Sequence, residues 1–346
     1  MPRSHGSAPR ISELDGLRGI AVALIVWHHL AAPALPAVSE SWFGYVRVAL
    51  SLSWSGVTLF FVLSGFLIGG ILLDHRTSPR LTRVFYLRRG LRIFPLFLIT
   101  LLCALGAVAA GAPGSWQSFP AWVYALFLTN FALAWLGQWD WLPFSVLWSL
   151  AVEEQFYLAA PWMVRAISPA RLPWFAGGAI LLAWALRAGH LLFWPEGHFG
   201  STVLTPFCMD GLALGVLLAC AVRSPASKPI GTWLASRWKF CLACAAALFG
   251  ALTLSHPITL TTLSLGGQAL VTSGWALVVA VVVMVRPAGL SRLLTVRPLT
   301  LLGRHSYFVY LWHPLIGVGM IRWLGGENYM VRELADFGLI ALAATA

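Results

Sequence analysis

Long apolar runs are the feature that most constrains how this chain can fold. Runs of membrane-spanning or nearly membrane-spanning length recur at about 14–32, 54–73, 91–110, 119–137, 144–165, 174–194, 203–222, 238–255, 265–285, 301–322 and 330–346. A helix needs about 20 mainly apolar residues to cross a hydrocarbon core of ~30 Å. Inside that core only helices and closed barrels satisfy their own backbone polar groups. We therefore expect an all-α fold, a polytopic transmembrane helix bundle.

The composition excludes an ordinary soluble protein. Hydrophobic residues make up 59% of the 346 residues, charged residues only 10%, and the mean hydropathy is +0.80, whereas about one quarter of a soluble domain is charged. We expect a single transmembrane domain, 1–346, with membrane lipids as its surroundings. The net charge of +11 does not indicate a nucleic-acid partner, because the basic residues cluster between apolar runs as orientation signals do. Cys241 and Cys244 form a CxxC without a second pair or a nearby His, so we expect no metal site.

The distribution of basic residues predicts which apolar run does not cross the membrane. If every run crossed, two later basic segments would lie opposite the first one, namely 223–239 and 286–304 opposite 76–92. The interval 111–146 contains no Lys or Arg, and Thr129 and Asn130 interrupt the run at 119–137. We therefore expect 119–137 to be a re-entrant or interfacial segment. About ten crossings remain, with the basic loops inside and both termini cytoplasmic. The basic residues left outside or near outer ends are Arg47, Arg187, Arg322 and Arg332.

The two ends of the chain carry their own expectations. Residues 1–13 are polar and basic, so we expect a mobile cytoplasmic segment. The last run, 330–346, has about 17 residues and falls a little short of a ~30 Å core. We expect this last helix to be incomplete. The charge pattern indicates a multi-pass protein of the cytoplasmic (inner) membrane.

Several polar residues lie inside the apolar runs. The first run, LDGLRGIAVALIVWHHL, contains Asp15 and Arg18 near its start and His28 and His29 near its end. Ionisable groups inside a membrane are costly, so they indicate function by default. Counted from the estimated ends of their runs, Ser64, Glu153, Glu154, Asp210 and His313 reach the depth of His29. A second layer at the cytoplasmic surface, about 16 Å from His29 along a helix, contains Arg18, Arg88, Arg89 and Arg92.

Structural explanations exist for some of these residues. A lone intramembrane histidine such as His313 can simply join two helices. Ser64 and the glycines after it can form a close-packing face, and an arginine cluster can be an orientation signal. Two adjacent acids and two adjacent bases at one depth exceed what packing needs. Because neighbouring residues on a helix point about 100° apart, only one histidine and one glutamate can face a common site.

Five segments resemble, in the same order, the membrane acyltransferase-3 family of integral membrane O-acyltransferases. They are LDGLRGIAVALIVWHH (14–29), FFVLSGFLIGGIL (60–72), FYLRRGLRIFP (85–95), LWSLAVEEQFYLAAPW (147–162) and LGRHSYFVYLWHPL (302–315). The family pattern of an Arg, ten intervening residues and a His selects His29 rather than His28. Its Arg-x-x-Arg pattern selects Arg89 and Arg92.

The resemblance also implies substrates. It implies an acyl-CoA donor, usually acetyl-CoA, approached from the cytoplasm, and a hydroxyl group of a carbohydrate or another acceptor. The chain departs from the family in its last run, which lacks the usual acidic, proline-containing ending, and we expect no extracytoplasmic esterase-like domain after it. The acceptor therefore stays open between a lipid-linked glycan, a polysaccharide and a secreted secondary metabolite.

A mechanism follows from the residue types. Arginine forks suit the phosphates of coenzyme A. A neutral His29 can take the proton of the acceptor hydroxyl, while Glu153 or Glu154 fixes the tautomer of the imidazole. No permanently bound cofactor is needed. A transient acyl-histidine is the alternative mechanism if donor and acceptor cannot occupy the site together.

Two other functional classes remain open at the level of sequence. A proton-coupled transporter also needs buried His, Glu and Arg residues, although no inverted repeat is visible. A non-catalytic lipid-binding or assembly protein would explain the basic loops but not the buried histidines and glutamates. Release of free CoA separates the acyltransferase from both.

Overall fold

The computed structural model describes residues 11–31, 51–111, 116–193, 199–254 and 267–323, and the secondary structure of these ranges is helical. In chain order the α-helices are α1 (Ser12–Val26), α2 (Gly56–Asp74), α3 (Leu81–Ala109), α4 (Ala121–Ala125), α5 (Thr129–Leu136), α6 (Leu142–Ser145), α7 (Leu147–Ala166), α8 (Leu172–Phe193), α9 (Phe199–Val203), α10 (Thr205–Arg223), α11 (Ser227–Leu254), α12 (Gln268–Met284), α13 (Ala288–Leu294), α14 (Arg297–Arg304) and α15 (Ser306–Trp323). The expected all-α class is confirmed for these ranges.

The number of crossings is only partly established. Among the described residues, five helices are long and apolar enough to cross a membrane, and a sixth span results if α12 and α13, which meet at 107°, count together. The expected count of about ten stays a prediction. The last predicted run, 330–346, and residues 1–10 lie outside the described residues. Helix α1 begins at Ser12, within the segment 1–13 that was expected to be mobile.

A short length for α1, and polar residues for α7 and α15, explain why these three helices are not among the five apolar helices. The first of them has only 15 residues in α-helical conformation. The helix α7 contains Glu153, Glu154 and Arg165, and α15 contains His313 and Arg322. The helices α7 and α15, which carry Glu153, Glu154 and His313, are therefore less apolar than the five helices.

The arginine cluster lies on a helix rather than in a loop. The sequence placed these arginines before a span at 91–110, but α3 begins at Leu81 and is continuous to Ala109. Arginine is a good helix former, so the apolar helix extends beyond its apolar part into the basic segment. Consequently Arg88 and Arg89 point about 100° apart around one helix, and Arg92, one turn further on, lies between those two directions.

Helix α2 is the centre of the bundle, since it packs against α1, α7, α10 and α12. Its closest crossing is with α10. A Cβ added to Gly65 would lie 2.0 Å from the carbonyl oxygen of Leu212, and one added to Gly215 would lie 2.2 Å from that of Val62. Only glycine permits this approach, and the expected packing face after Ser64 is confirmed.

A second close crossing holds α1 against α14. A Cβ on Gly303 would lie 1.7 Å from the carbonyl oxygen of Asp15, and one on Gly19 would lie 2.3 Å from that of Leu299. This crossing fixes the first turns of α1, which carry Asp15 and Arg18, against the segment that leads into α15.

The segment at 119–137 is not a spanning helix. It consists of α4 and α5, with 5 and 8 residues. Its two ends meet, because the backbone N–H and the hydroxyl of Ser118 both donate to Oδ1 of Asp140, at 3.2 and 3.1 Å. The hydroxyl of Tyr124 donates to the same carboxylate. Burial raises the pKa of Tyr124, and Asp140 raises it further, which keeps the phenol protonated as a donor. A segment that begins and ends at one carboxylate agrees with the expected non-crossing run.

A polar triangle attaches this segment to the bundle. Asn130 donates to Thr205 Oγ1 at 3.0 Å, Gln155 donates to Asn130 Oδ1 at 3.0 Å, and Thr205 donates to Gln155. Gln155 also donates to the carbonyl of Phe127 at 3.0 Å, a residue with φ of 55°. The polar interruption that the sequence showed at Thr129 and Asn130 therefore links α5 to α7 and α10.

Candidate active site

A long cavity of about 840 Å³ lies among α1, α2, α3, α7, α15 and the end of α10. Along α2 its wall extends from Val57 to Asp74, which corresponds to about 25 Å at 1.5 Å per residue. Six of the residues selected from the sequence line this cavity: Asp15, Arg18, Ser64, Arg89, Arg92 and Glu153. Half of the twelve candidate residues selected from the sequence therefore line one cavity.

One end of the cavity, here called the arginine end, contains Arg89, Arg92 and Arg223. Arg223 forms a two-point ion pair with Asp74, with distances of 2.7 and 2.6 Å. Such paired contacts orient a guanidinium strongly. Arg89 is oriented differently, because its guanidinium carbon lies 5.1 Å from the ring centroid of Tyr157. A stacked guanidinium keeps its N–H donors for an anionic ligand.

Glu153 belongs with the arginines of the cavity. Its carboxylate accepts hydrogen bonds from Ser64 at 2.9 Å and from Tyr157 at 3.0 Å. It also interacts electrostatically with Arg18 and Arg89. Because Tyr157 follows Glu153 by four residues, both side chains lie on one face of α7. Glu153 is therefore placed to interact with both Arg18 and Arg89.

The opposite end of the cavity, here called the deep end, is formed by Val57, Phe60, Ser149 and Tyr310. The hydroxyls of Ser149 and Tyr310 are hydrogen-bonded to each other, and Tyr310 also donates to the carbonyl of Val146 at 2.6 Å. These contacts connect α7 with α15. The deep end is consequently apolar apart from two satisfied hydroxyls.

Two of the predicted histidines are paired next to this deep end. His29 Nδ1 lies 3.0 Å from His313 Nε2, and the ring of Tyr310 lies 6.0 Å from that of His313. His29 lies in a π-helical turn, Trp27–Ala31, that follows α1, and single π turns concentrate at functional sites. Neither histidine is among the residues that line the cavity, whereas Tyr310, their neighbour, does line it.

The partner expected for His29 was wrong. A glutamate was expected to fix its tautomer, but the direct partner in the structure is His313, while Glu153 contacts Ser64 and Tyr157. The expectation rested on depths counted from the ends of apolar runs. Helices tilt and begin at different heights, so such counts do not share a common origin.

Four other predicted residues do not line the cavity. His28 lies 3.4 Å from the hydroxyl of Ser53, away from His313. Glu154 Oε1 is buried and has no hydrogen-bond partner among the described residues. Arg88 is exposed. Asp210 forms a buried ion pair with Arg187.

The rotation of each helix explains these exceptions. Residues that follow one another point about 100° apart, so Glu154 and Arg88 turn away from the cavity that Glu153 and Arg89 line. Asp210 faces α8, where Trp184 Nε1 also donates to it at 3.2 Å, while the next residue, Gly211, faces α2. Arg187, counted as a residue near an outer end, is instead 2% exposed and part of this pair.

Sequence reasoning missed several residues of the cavity wall. Tyr157 could have been found from its i, i+4 spacing to Glu153, and Tyr310 from its position one turn before His313. Asp74 and Arg223 gave no comparable signal, because their pairing depends on the α2–α10 crossing.

The fold and the cavity together define a class: a helical protein with membrane-spanning helices and an internal cavity that is cationic at one end and adjoins paired histidines at the other. Residues 11–346 match the family model of the acyltransferase-3 acyltransferase domain. The chain therefore belongs to the acyltransferase-3 family, as its motifs indicated.

Three relatives similar to this chain are named O-acetyltransferases. The chain is 27% identical over 341 residues to the peptidoglycan O-acetyltransferase OatA of Listeria monocytogenes, covering 88% of this chain and 49% of the relative. It is 27% identical over 353 residues to the O-acetyltransferase OatA of Staphylococcus aureus, covering 96% and 55%. A putative O-acetyltransferase of Staphylococcus aureus is 30% identical over 164 residues, or 44% of this chain and 24% of that protein. The chain thus spans about half the length of the first two relatives. No solved structure is significantly similar to it.

Proposed function

We propose that this protein is an integral membrane O-acetyltransferase that moves an acetyl group from acetyl-CoA to a hydroxyl group of a carbohydrate. The observation that carries the proposal is the cavity, which connects a set of arginines with the neighbourhood of two paired histidines. The relatives named as O-acetyltransferases support the reaction type.

The arginine end suits the phosphate groups of the donor. Arg89 and Arg92 line the cavity there, and guanidinium forks bind phosphate oxygens at two points. We place this end on the cytoplasmic side, where acyl-CoA is available, with both termini cytoplasmic and the protein in the cytoplasmic membrane. The basic residues between the spans support this orientation.

The length of the cavity suits the long arm of coenzyme A. A wall of about 25 Å along α2 lets phosphates lie at the arginine end while the thioester lies near Tyr310 at the deep end. The middle of the cavity contains Ser64 and Glu153, and Glu153 holds Arg18 and Arg89 in place electrostatically. In this assignment Glu153 orients cations and does not act on the histidine.

His29 is the general base of the proposed reaction. It takes the proton of the acceptor hydroxyl, the hydroxyl oxygen bonds to the thioester carbonyl carbon, and the carbon–sulfur bond breaks. The departing CoA sulfur then receives the proton from His29. One proton is taken up and given back, so acyl-CoA and alcohol become ester and free CoA.

For the acceptor, we propose a chemical group rather than a particular molecule. One relative is named a peptidoglycan O-acetyltransferase, so a glycan hydroxyl presented at the outer side is the proposed acceptor. A lipid-linked glycan and a glycosylated secondary metabolite offer the same hydroxyl chemistry.

The test uses the full chain in lipid nanodiscs with acetyl-CoA and soluble peptidoglycan fragments. We expect release of free CoA to depend on the acceptor and the fragments to gain the mass of an acetyl group. His29→Ala should lower kcat by about 10²- to 10⁴-fold, whereas His28→Ala should retain part of the activity, because its neighbour is Ser53 rather than His313. If the protein moved protons across the membrane but cleaved no thioester with any hydroxyl acceptor, the proton-coupled transporter would be favoured instead.

A further inference from the structure

We propose that His313 is a positioning residue that fixes the tautomer of His29 and leaves Nε2 of His29 as the proton acceptor. The inference rests on the proposed function, in which His29 is the base. It assigns to a second histidine the role that a carboxylate has in the Ser-His-Asp triad.

Pro314 fixes the tautomer of His313. A proline inside a helix has no N–H for the carbonyl four residues earlier, and for Pro314 that carbonyl belongs to Tyr310. His313 Nδ1 lies 2.8 Å from this carbonyl oxygen and 3.2 Å from that of Val309. A ring nitrogen beside two carbonyl oxygens must carry a proton, because carbonyl oxygens only accept hydrogen bonds.

The proton on Nδ1 of His313 determines the direction of its hydrogen bond with His29. In a neutral imidazole the other nitrogen is then an acceptor, so Nε2 of His313 accepts from Nδ1 of His29 over 3.0 Å. His29 therefore carries its proton on Nδ1. Its Nε2 keeps a lone pair and can take the proton of a hydroxyl group.

Burial keeps water away from the hydrogen bonds of His313. His313 is fully buried, with an exposure of 0%, so water does not compete for its ring nitrogens. Within the described part of the chain, the ionisable groups that act on His29 are His313 and His28, and His28 has its own contact with Ser53. A neutral partner stabilises an imidazolium less than a carboxylate would, so His29 should pass its proton to the departing sulfur rather than store it.

The first experiment measures the tautomer directly in the wild-type protein. The full chain is labelled with ¹⁵N-histidine, placed in lipid bilayers and studied by solid-state NMR, and the signals are assigned by their loss in His29→Ala and His313→Gln. We expect His29 and His313 both to be protonated at Nδ1 and unprotonated at Nε2. Protonation of His29 at Nε2 would overturn the proposal without touching the proposed function.

The second experiment separates positioning from packing. His313→Leu keeps a side chain of similar size but accepts no hydrogen bond, whereas His313→Gln offers an amide oxygen to His29. We expect kcat to fall by about 10²- to 10⁴-fold in His313→Leu, with KM for acetyl-CoA unchanged, and to recover in part in His313→Gln. The exposed His305 supplies the matched control, His305→Gln, which should behave like the wild type.

The outcomes are distinct. Wild-type kcat in His313→Leu would overturn the proposal, and so would an equal loss in the Leu and Gln variants when both remain folded. Absence of CoA release by the wild type would instead refute the proposed function, and the tautomer measurement would still decide the arrangement of the two rings.

Discussion

Replacing Arg89 by Ala is expected to weaken the binding of acyl-CoA, whereas replacing its neighbour Arg88 is not. Both residues lie on α3 and carry the same charge. Arg89 lines the cavity and stacks on Tyr157, while Arg88 is exposed. The two variants therefore remove the same charge from the same segment, and the main difference is the direction in which the lost side chain points.

The magnitude follows from the contact that is lost. A hydrogen bond to a charged group contributes about 1.5–3 kcal/mol, which corresponds to roughly a 10- to 150-fold change in Kd. Arg88→Ala removes only a distant, screened charge and should change Kd by less than about threefold. Arg89→Lys keeps the charge but loses the planar fork and the stacking on Tyr157, so its Kd should lie between that of the wild type and that of Arg89→Ala.

The assay is the binding of a non-hydrolysable acetyl-CoA analogue to each variant in nanodiscs, measured by titration calorimetry. Thermal unfolding of each variant checks that the bundle is intact. Equal losses in Arg88→Ala and Arg89→Ala would mean that only the total positive charge matters. An unchanged Kd in Arg89→Ala would leave the arginines as orientation signals and refute the donor site.

Two further predictions concern the architecture. Single cysteines at Ser118 and Trp139 should react with an impermeant thiol reagent from the same side of the membrane, because the segment between them returns to Asp140; labelling from opposite sides would show that it crosses. Gly215→Ala should destabilise the protein by about 1–3 kcal/mol, because its Cβ would lie 2.2 Å from a backbone oxygen. Gly178→Ala, whose Cβ meets nothing within 4 Å, is the control in thermal unfolding, and equal stability of the two variants would contradict the close crossing.

The apolar periodicity predicted the fold class well, because the cost of unsatisfied backbone in a membrane leaves few solutions. Within the described residues, every run predicted to cross contains a helix. In the interval 111–146, which lacks Lys and Arg, the described helices α4, α5 and α6 have 5, 8 and 4 residues, which agrees with the predicted non-crossing segment; its sidedness stays a prediction. The boundaries were less accurate, as the early start of α3 at Leu81 shows, since a helix does not end where its apolar stretch ends.

The site was predictable only as far as single helices determine it. Glu153 and Ser64 were both chosen from polarity in apolar runs, and they are hydrogen-bonded. The choice between Glu153 and Glu154 depends on the rotation of α7, which the sequence does not contain. The same limit explains why Asp210 was grouped with the site, although its partner is Arg187, and why His313 was not recognised as the partner of His29.

The ionisable residues inside α1, α7 and α15 have a consequence for biogenesis. A charged residue near the middle of a helix opposes its insertion by about 2.5–3.5 kcal/mol, and α7 alone contains Glu153 and Glu154. The five more apolar helices can enter the bilayer on their own, but these three depend on neighbours that already accept their polar groups. The catalytic centre should consequently assemble late, on a scaffold that has been inserted before it. Substitutions that make α7 more apolar would then raise the yield of inserted protein while removing its activity, so that expression level and acyl transfer change in opposite directions.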